Sequence, residues 1–162
     1  MVQAAVTATG GAVPSSVIGA LVDHAHEMLM HPVELLPDVP ETLAAVGRTH
    51  RLVLITKGDL VHQMRKVRTS GLEHHFEHIE VVLEKDEATY RRILHEWNID
   101  PARFLMVGNS IRSDILPIVE LGGYGVHVPY HVTWAHEIVD DHNGGFAELE
   151  HLTELPAWLA GA

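Results

Sequence analysis

Four polar residues stand at positions where a parallel sheet would gather them at one edge. Thr56 ends one apolar run, Lys85 lies just beyond the next, and Asn109 and Asp114 follow a third. A hydroxyl and an ammonium group can neutralise the non-bridging oxygens of a phosphate ester, and a carboxylate can hold a divalent cation that takes the remaining charge. Each residue alone is equally well explained as a helix cap or a solvated side chain. Their order, each near the carboxyl end of a successive strand, indicates a shared site.

The third run carries the most specific pattern. Four apolar residues at 104–107 lead into Gly-Asn-Ser at 108–110, after which the apolar spacing becomes helical. This predicts a buried strand, a tight turn and a helix with Asp114 in its first turn, close to the strand end. Such a carboxylate suits a divalent cation. The alternative is that Asn109 and Ser110 only cap the helix and that Asp114 only favours its dipole.

The elements that must position these residues alternate along the chain. Apolar runs are followed by segments with helical spacing, which predicts βα units and a Rossmann-like parallel sheet with flanking helices. Residues 1–13 are weakly patterned, and short apolar pieces occur late in the chain. The predicted strands are 51–56, 79–82, 104–107 and 124–128, and the predicted helices are 15–30, 39–46, 60–69 and one that begins after 85–87.

Composition narrows the classes of function. A chain of 162 residues with 46% hydrophobic and 20% charged residues suits a globular core of ordinary size. The formal net charge of -11 argues against a nucleic-acid or anionic-membrane partner, because both need a basic surface. The chain has no cysteine, no apolar run long enough to span a bilayer and no signal-peptide pattern. We therefore expect a cytoplasmic protein.

Three segments of the sequence, taken together, resemble motifs of the haloacid dehalogenase-like hydrolase superfamily, which consists mostly of phosphatases. The apolar strand ending in Thr56 looks like the second motif of that family, Lys85 like the third, and VGNSIRSDI at 107–115 like the fourth. The resemblance covers roughly residues 38–130. It implies that Thr56 hydrogen-bonds the transferring phosphoryl group, that Lys85 orients and neutralises it, and that Asp114 helps to bind Mg²⁺.

The resemblance also implies a domain division and a substrate site. Residues 1–37 are expected to form part of a helical cap, and residues 38–162 a Rossmann-like hydrolase core that lacks its first strand. Lys57, Gly58 and Asn109 are expected to bind the substrate, a small phosphorylated molecule whose identity the sequence does not reveal.

The first motif of the family has no counterpart here. That motif is Asp-x-Asp, and it supplies the nucleophile and an acid/base carboxylate. This sequence contains no Asp-x-Asp. Two aspartates are consecutive at Asp140-Asp141, but this pair comes late in the chain and is not at a strand end. Asn109 also replaces the first acid of the fourth motif. Loss of a nucleophile from a site that acts as a unit costs on the order of a million-fold in turnover. We expect this chain alone to be inactive.

The strand that carries the first motif would lie between the strands at 51–56 and 104–107, so its absence leaves unpaired backbone groups. Three explanations are open at this stage. The sequence belongs to a longer, truncated protein, which the mid-cap beginning favours. A second polypeptide supplies the strand. Residues 2–8 substitute for it.

Three functions follow from these observations. The first is Mg²⁺-dependent hydrolysis of a phosphate monoester in the intact protein. The second is dehalogenation of a haloacid, which the phosphatase-like Val-Gly-Asn-Ser form of the fourth motif disfavours. The third belongs to another class, a non-catalytic remnant of the fold that binds a partner or an anion.

Histidines and late aromatic residues offer other sites. The chain has 14 histidines, but their spacing matches no zinc signature, so we expect mainly surface residues. His127 is expected to be a core or edge residue of the last strand. Tyr130 and Trp134 are more simply packing residues than walls of a substrate pocket. The histidines that most resemble ligands are His74, His75, His78, His131 and His136.

Overall fold

The computed structural model describes residues 2–130 and 145–161, with the backbone alone at 28–30. In the described part of the chain, no helix is both long enough and apolar enough to cross a bilayer. The strands are β1 (Val53–Lys57), β2 (His78–Val82), β3 (Leu105–Gly108), β4 (Tyr124–His127) and β5 (Ala147–Glu148). The helices are α1 (Val2–Ala8), α2 (Ser15–Met30), α3 (Val39–Val46), α4 (Leu60–Ser70), α5 (Glu87–Glu96), α6 (Leu116–Glu120) and α7 (Leu155–Gly161).

Two compact units divide the chain, residues 1–34 and 35–162. The first contains α1 and α2. Residues 2–8 are helical, so the hypothesis that they replace a strand is wrong. The reason is local, since alanine is the best helix former and three of these seven residues are alanine. The helix predicted at 15–30 is confirmed with the same bounds.

The second unit is a parallel α/β structure with flanking helices, which confirms the predicted fold class. Its strands form two separate sheets, one of β1 and β2 and one in the order β3-β4-β5, and every strand pair is parallel. The register sets Val53 opposite His78 in the first sheet and Leu105 opposite Tyr124 in the second. Among residues 2–130 and 145–161, no strand joins β1 to β3.

Side chains that alternate along β3 divide between two apolar clusters. Met106 joins Ile55, Tyr90 and Ile93 in a cluster on the α5 side. Leu105 and Val107 pack against a second cluster, which contains Val46 of α3 and Leu155 of α7. This alternation is expected for strands that are covered on both faces.

Helix boundaries are fixed by short polar side chains and glycine. The carboxylates of Asp59 and Asp86 accept backbone hydrogen bonds at the starts of α4 and α5, from His62 and Thr89 respectively. Gly71 ends α4 with φ of 72°, a left-handed conformation that favours glycine. These caps place the helix starts directly after β1 and β2, where the polar residues of the site lie.

Small differences from the predicted elements occur at their ends. β1 extends to Lys57, one residue beyond Thr56, and β3 includes Gly108. The predictions that concern His131, Trp134, His136, 138–139 and Asp140-Asp141 lie outside the described residues.

Candidate active site

A buried ion pair joins the ends of β2 and β3. Lys85 Nζ donates a hydrogen bond of 2.6 Å to Oδ1 of Asp114, and their side chains are only 14% and 6% exposed. The other carboxylate oxygen, Oδ2, accepts the backbone N–H of Ser110 at 3.1 Å. Two residues that are 29 positions apart in sequence are therefore in direct contact, as the parallel-sheet prediction requires.

Gly108 makes room for this carboxylate at the end of β3. A Cβ atom on Gly108 would overlap the Asp114 side chain, so only glycine allows the strand end to approach it so closely. This close approach brings the backbone N–H of Ser110 within reach of Oδ2. The φ of Gly108 lies outside the left-handed range, so the backbone conformation does not require glycine here. The close contact with Asp114 does.

The turn after β3 is capped by Ser110, as the helix-capping hypothesis for this segment proposed. Ser110 Oγ accepts the backbone N–H of Ser113 at 3.1 Å and its hydroxyl at 2.8 Å. Ser110 is thus a cap, while Asp114 is buried and paired with Lys85 rather than only exposed to a helix dipole. Capping and a polar site are both present, so the two readings of this segment do not exclude each other.

The segment Ile111–Ile115 is a π-helical turn rather than the start of a regular α-helix. Pro117 explains the irregularity, because it lacks the N–H that would bond to the carbonyl of Ser113 in an α-helix. The Tyr90 hydroxyl donates to that carbonyl instead, at 3.1 Å. Burial raises the pKa of Tyr90 far above its usual range, and the Asp114 carboxylate raises it further, so the hydroxyl keeps its proton.

The candidate site residues at the end of β1 do not join the ion pair of Lys85 and Asp114 but make contacts of their own. The Thr56 hydroxyl donates to Oε1 of Gln63 at 3.2 Å, and Lys57 Nζ lies 3.7 Å from Oε2 of Glu84. Gly58 donates its backbone N–H to the Val82 carbonyl at 2.9 Å, which ties the end of β1 to the end of β2. The structure thus keeps these residues beside β2 without a hydrogen bond from Thr56 to Lys85 or Asp114. Gln63 was not predicted, because its role depends on the helix angle of α4.

Asn109 is exposed, and its backbone is held by the fourth strand. His127 Nε2 lies 3.2 Å from the Asn109 carbonyl oxygen, and Nδ1 lies 2.9 Å from Oε2 of Glu148. His127 ends β4, which is the central strand of the sheet β3-β4-β5 and not the last strand of the chain, and it links the turn after β3 to β5. Its position at the end of a strand adjacent to the site was the only sequence signal for this role.

The pair faces a cavity of about 870 Å³, which lies between β1 and β3 and which we call the inter-sheet slot. Its walls are Leu52–Ile55 on one side and Leu105–Gly108 on the other, and Lys85, Asn109 and Asp114 form its polar end. Ligand sites commonly combine apolar walls with a few polar groups in this way. Lys85 is the cationic side chain at this polar end.

The described residues do not form a magnesium site by themselves. Asp114 is the one carboxylate at the polar end of the inter-sheet slot, and both of its oxygens already have hydrogen-bond partners. Within 2–130 and 145–161, no group of three or more His, Cys, Asp or Glu side chains could hold a metal ion. A resident Mg²⁺ would need ligands from outside the described residues.

Of the candidate histidine ligands, three are described. The rings of His74 and His75 lie 4.0 Å apart, and His74 Nδ1 is 2.8 Å from the Gly71 carbonyl. The His78 ring stacks on Trp97 at 4.8 Å. These contacts account for His74 and His75 as residues of the turn that follows α4, and for His78 as the first residue of β2.

Comparison with known proteins places this arrangement in a family. A model of haloacid dehalogenase-like hydrolases matches residues 6–122. A haloacid dehalogenase-like family hydrolase from Xanthomonas campestris is 37% identical, with a TM-score of 0.85, and the match covers 99% of this chain and 68% of that one. This protein belongs to the haloacid dehalogenase-like hydrolase family. No protein of curated function matched it.

Two further solved structures have the same fold but different described activities. A 2-haloacid dehalogenase from Pseudomonas syringae pv. Tomato is 25% identical, with a TM-score of 0.68 and coverage of 94% of this chain and 66% of that one. A phosphatase of the family from Thermococcus onnurineus is 21% identical, with a TM-score of 0.64 and coverage of 79% and 59%. The fold alone therefore does not decide between the two reactions.

Proposed function

We propose that this protein carries the anion-binding half of a phosphate-monoester hydrolase site. The single observation behind the proposal is the nearly buried Lys85 ammonium group, held by Asp114 at the polar end of the inter-sheet slot. A fixed ammonium group in a partly desolvated site stabilises the charge of a phosphoryl group more strongly than one in water. Family membership makes hydrolysis the reaction class that this site serves.

Hydrolysis itself requires groups that the described residues do not supply. The resemblance assigns the nucleophile to an Asp-x-Asp motif, and the sequence contains none. We propose that the nucleophile and the remaining Mg²⁺ ligands come from polypeptide outside residues 1–162. Asp114 would then be one Mg²⁺ ligand, with Lys85 and the Thr56 hydroxyl as partners of the phosphoryl oxygens. Lys57, Gly58 and Asn109 would contact the remainder of the substrate.

Binding of inorganic phosphate, measured by calorimetry without Mg²⁺, tests the anion site separately from turnover. We expect K85M to weaken binding about tenfold or more, because it removes the only cation at the polar end of the slot among the described residues. D114N should strengthen binding, because it removes a carboxylate that repels phosphate. A variant that merely unfolds cannot produce that increase. K66M, which removes an exposed lysine of α4, serves as the matched control.

Four results would decide against the proposal. Equal phosphate affinity for K85M and the unchanged protein would exclude the assigned role of Lys85. Binding of 2-chloropropionate in preference to phosphate would favour dehalogenation. No binding of either anion at millimolar concentration would favour the non-catalytic alternative. Hydrolysis of p-nitrophenyl phosphate by this chain alone would overturn the claim that the nucleophile lies elsewhere.

A further inference from the structure

Gln63 lies in the first turn of α4, beside the Thr56 hydroxyl at the end of β1. Its backbone N–H donates to the carbonyl of Asp59, the N-cap residue of α4, at 2.9 Å. The Asp59 carboxylate in turn accepts the N–H of His62. The cap of α4 therefore fixes the backbone of Gln63, and the partly buried side chain reaches back to β1.

Gly58 leaves the room that the Gln63 side chain occupies. A Cβ atom on Gly58 would lie 2.8 Å from Nε2 of Gln63 and 3.3 Å from its Cγ, so a larger residue would displace the amide. With φ of 145°, Gly58 also has a backbone conformation that favours glycine. The Gln63 amide is therefore packed against the turn between β1 and α4, which carries the predicted substrate contacts Lys57 and Gly58.

The hydrogen bond between Thr56 and Gln63 uses the one proton that the hydroxyl has. Thr56 donates it to Oε1 of Gln63 at 3.2 Å. A threonine hydroxyl has one donor and two acceptor lone pairs, whereas a glutamine amide has an acceptor oxygen and an NH₂ group with two donors. While the proton is donated to Oε1, Thr56 cannot donate it to a phosphoryl oxygen, which is the role that the proposed function gives it.

A rotation of the Gln63 amide by roughly 180° frees this proton, since the torsion of a terminal amide is broad and roughly two-fold. Nε2 then takes the place of Oε1 and donates to Oγ1 of Thr56, whose own proton becomes available to an anion. Because the amide oxygen and nitrogen are similar in size, the rotation requires no movement of α4 or β1. Linked hydrogen bonds polarise one another, so donation by Nε2 also strengthens the bond from Thr56 to the anion.

We infer that Gln63 is a positioning residue that changes the acceptor of the Thr56 proton from the protein to bound phosphate. The inference rests on the proposed function. Without an anion, Oε1 of Gln63 accepts the proton and holds the hydroxyl in place. With an anion, the amide rotates, Nε2 donates to Oγ1, and Thr56 donates to a phosphoryl oxygen. Gln63 acts through Thr56 and does not itself contact the anion.

NMR of the side-chain amides in the ¹⁵N-labelled chain, titrated with inorganic phosphate, tests the rotation directly. We expect one Nε2 proton of Gln63 to move to lower field as phosphate binds, because that proton becomes hydrogen-bonded to Oγ1 of Thr56. T56V removes the hydroxyl from a side chain of similar shape and should abolish the shift. Gln3, the only other glutamine in the sequence, lies exposed in α1 and serves as the internal reference.

Calorimetry with inorganic phosphate measures the consequence for affinity. Q63E keeps an acceptor for the Thr56 proton but has no donor while it is ionised, so it should hold the hydroxyl away from the anion and weaken binding about tenfold. H62E adds the same charge at the neighbouring residue, controls for that charge and should weaken binding less. Q63M lacks both groups and should weaken binding about threefold, but should cost nothing further in a T56V background.

Distinct outcomes separate this inference from the proposed function. Phosphate binding that K85M weakens, with no shift of the Gln63 amide, would leave the proposed function standing and exclude the role of Gln63. An equal cost of Q63M with and without the Thr56 hydroxyl would show that Gln63 does not act through Thr56. Equal affinities of Q63E and H62E would show that the added charge alone matters. Absence of phosphate binding by the unchanged protein would overturn the proposed function and this inference together.

Discussion

Lys85 and Asp114 lie 2.6 Å apart and tie one sheet to the other. Lys85 follows β2, which pairs with β1, whereas Asp114 follows β3, which begins the second sheet. The ion pair is the polar counterpart of the shared apolar cluster around Ile55 and Met106. It therefore contributes both to the site and to the relation between the two sheets.

Removing one partner of this pair should be costly, because it leaves the other charge largely buried. We expect K85M and D114N each to lower the free energy of unfolding by up to about 3 kcal/mol. The double variant should cost less than the sum, with a coupling energy of about 1–3 kcal/mol. Urea unfolding can be followed by tryptophan fluorescence, since all three tryptophans lie in the unit of residues 35–162. Additive costs would contradict a direct interaction.

Replacing Gly108 by alanine should displace the Asp114 carboxylate. The added Cβ overlaps that side chain, so we expect G108A to destabilise the second unit by about 1–3 kcal/mol. The matched control is G19A in α2, where a Cβ meets nothing within 4 Å. G19A should instead stabilise its helix by about 0.5–1 kcal/mol. Thermal unfolding of both variants measures the contrast, and equal melting temperatures would argue against the close approach at Gly108.

The hydroxyl of Tyr90 should matter because Pro117 leaves the Ser113 carbonyl without a helical donor. We expect Y90F to cost about 1 kcal/mol of stability. P117A restores an N–H that can donate to that carbonyl, so the same change in a P117A background should cost less. Y124F, at a Tyr that is 61% exposed, is the control and should be nearly neutral. An undiminished cost of Y90F in the P117A background would contradict this account of the π-helical turn.

Asp86 should make stability depend on pH in the acid range. Hydrogen bonds from Thr89 lower the pKa of Asp86 in the folded protein below its ordinary value of 3.8. Its contribution is therefore fully present above the unfolded pKa and is lost as pH falls through the lowered folded value. D86N keeps a capping side chain but no charge, so its stability should fall less below pH 4 than that of the unchanged protein. D86A should be less stable at every pH, and parallel curves for D86N would refute the assignment.

Addition of Mg²⁺ should leave the melting temperature of this chain unchanged, since the described residues supply one carboxylate whose two oxygens already have partners. Differential scanning fluorimetry with and without MgCl₂ measures this directly, and EDTA treatment provides the metal-free reference. A Mg²⁺-induced increase that D114N abolishes would show that Asp114 has enough partners to form a metal site.

Sequence patterns predicted the alternation of strands and helices because apolar periodicity and helix caps are local features. A shared location for Lys85 and Asp114 was also predicted, because each follows the carboxyl end of a successive parallel strand, although the structure places those strands in two sheets. The hydrogen bond from Thr56 to Gln63 could not be predicted from the sequence, because it depends on how α4 is rotated against β1. The bond from Tyr90 to the turn at Ser113 likewise depends on a helix defect that only the packed structure reveals.

The pair of Lys85 and Asp114 carries little net charge at the polar end of the inter-sheet slot, in a chain whose formal net charge is -11. Approach of an anion is then opposed by the long-range field of the protein, while short-range contacts with Lys85 favour its binding. Salt screens this repulsion at distances beyond the Debye length, which is about 8 Å at physiological ionic strength. Anion capture by this protein should therefore become faster as ionic strength rises, the reverse of the behaviour of proteins that attract anions electrostatically.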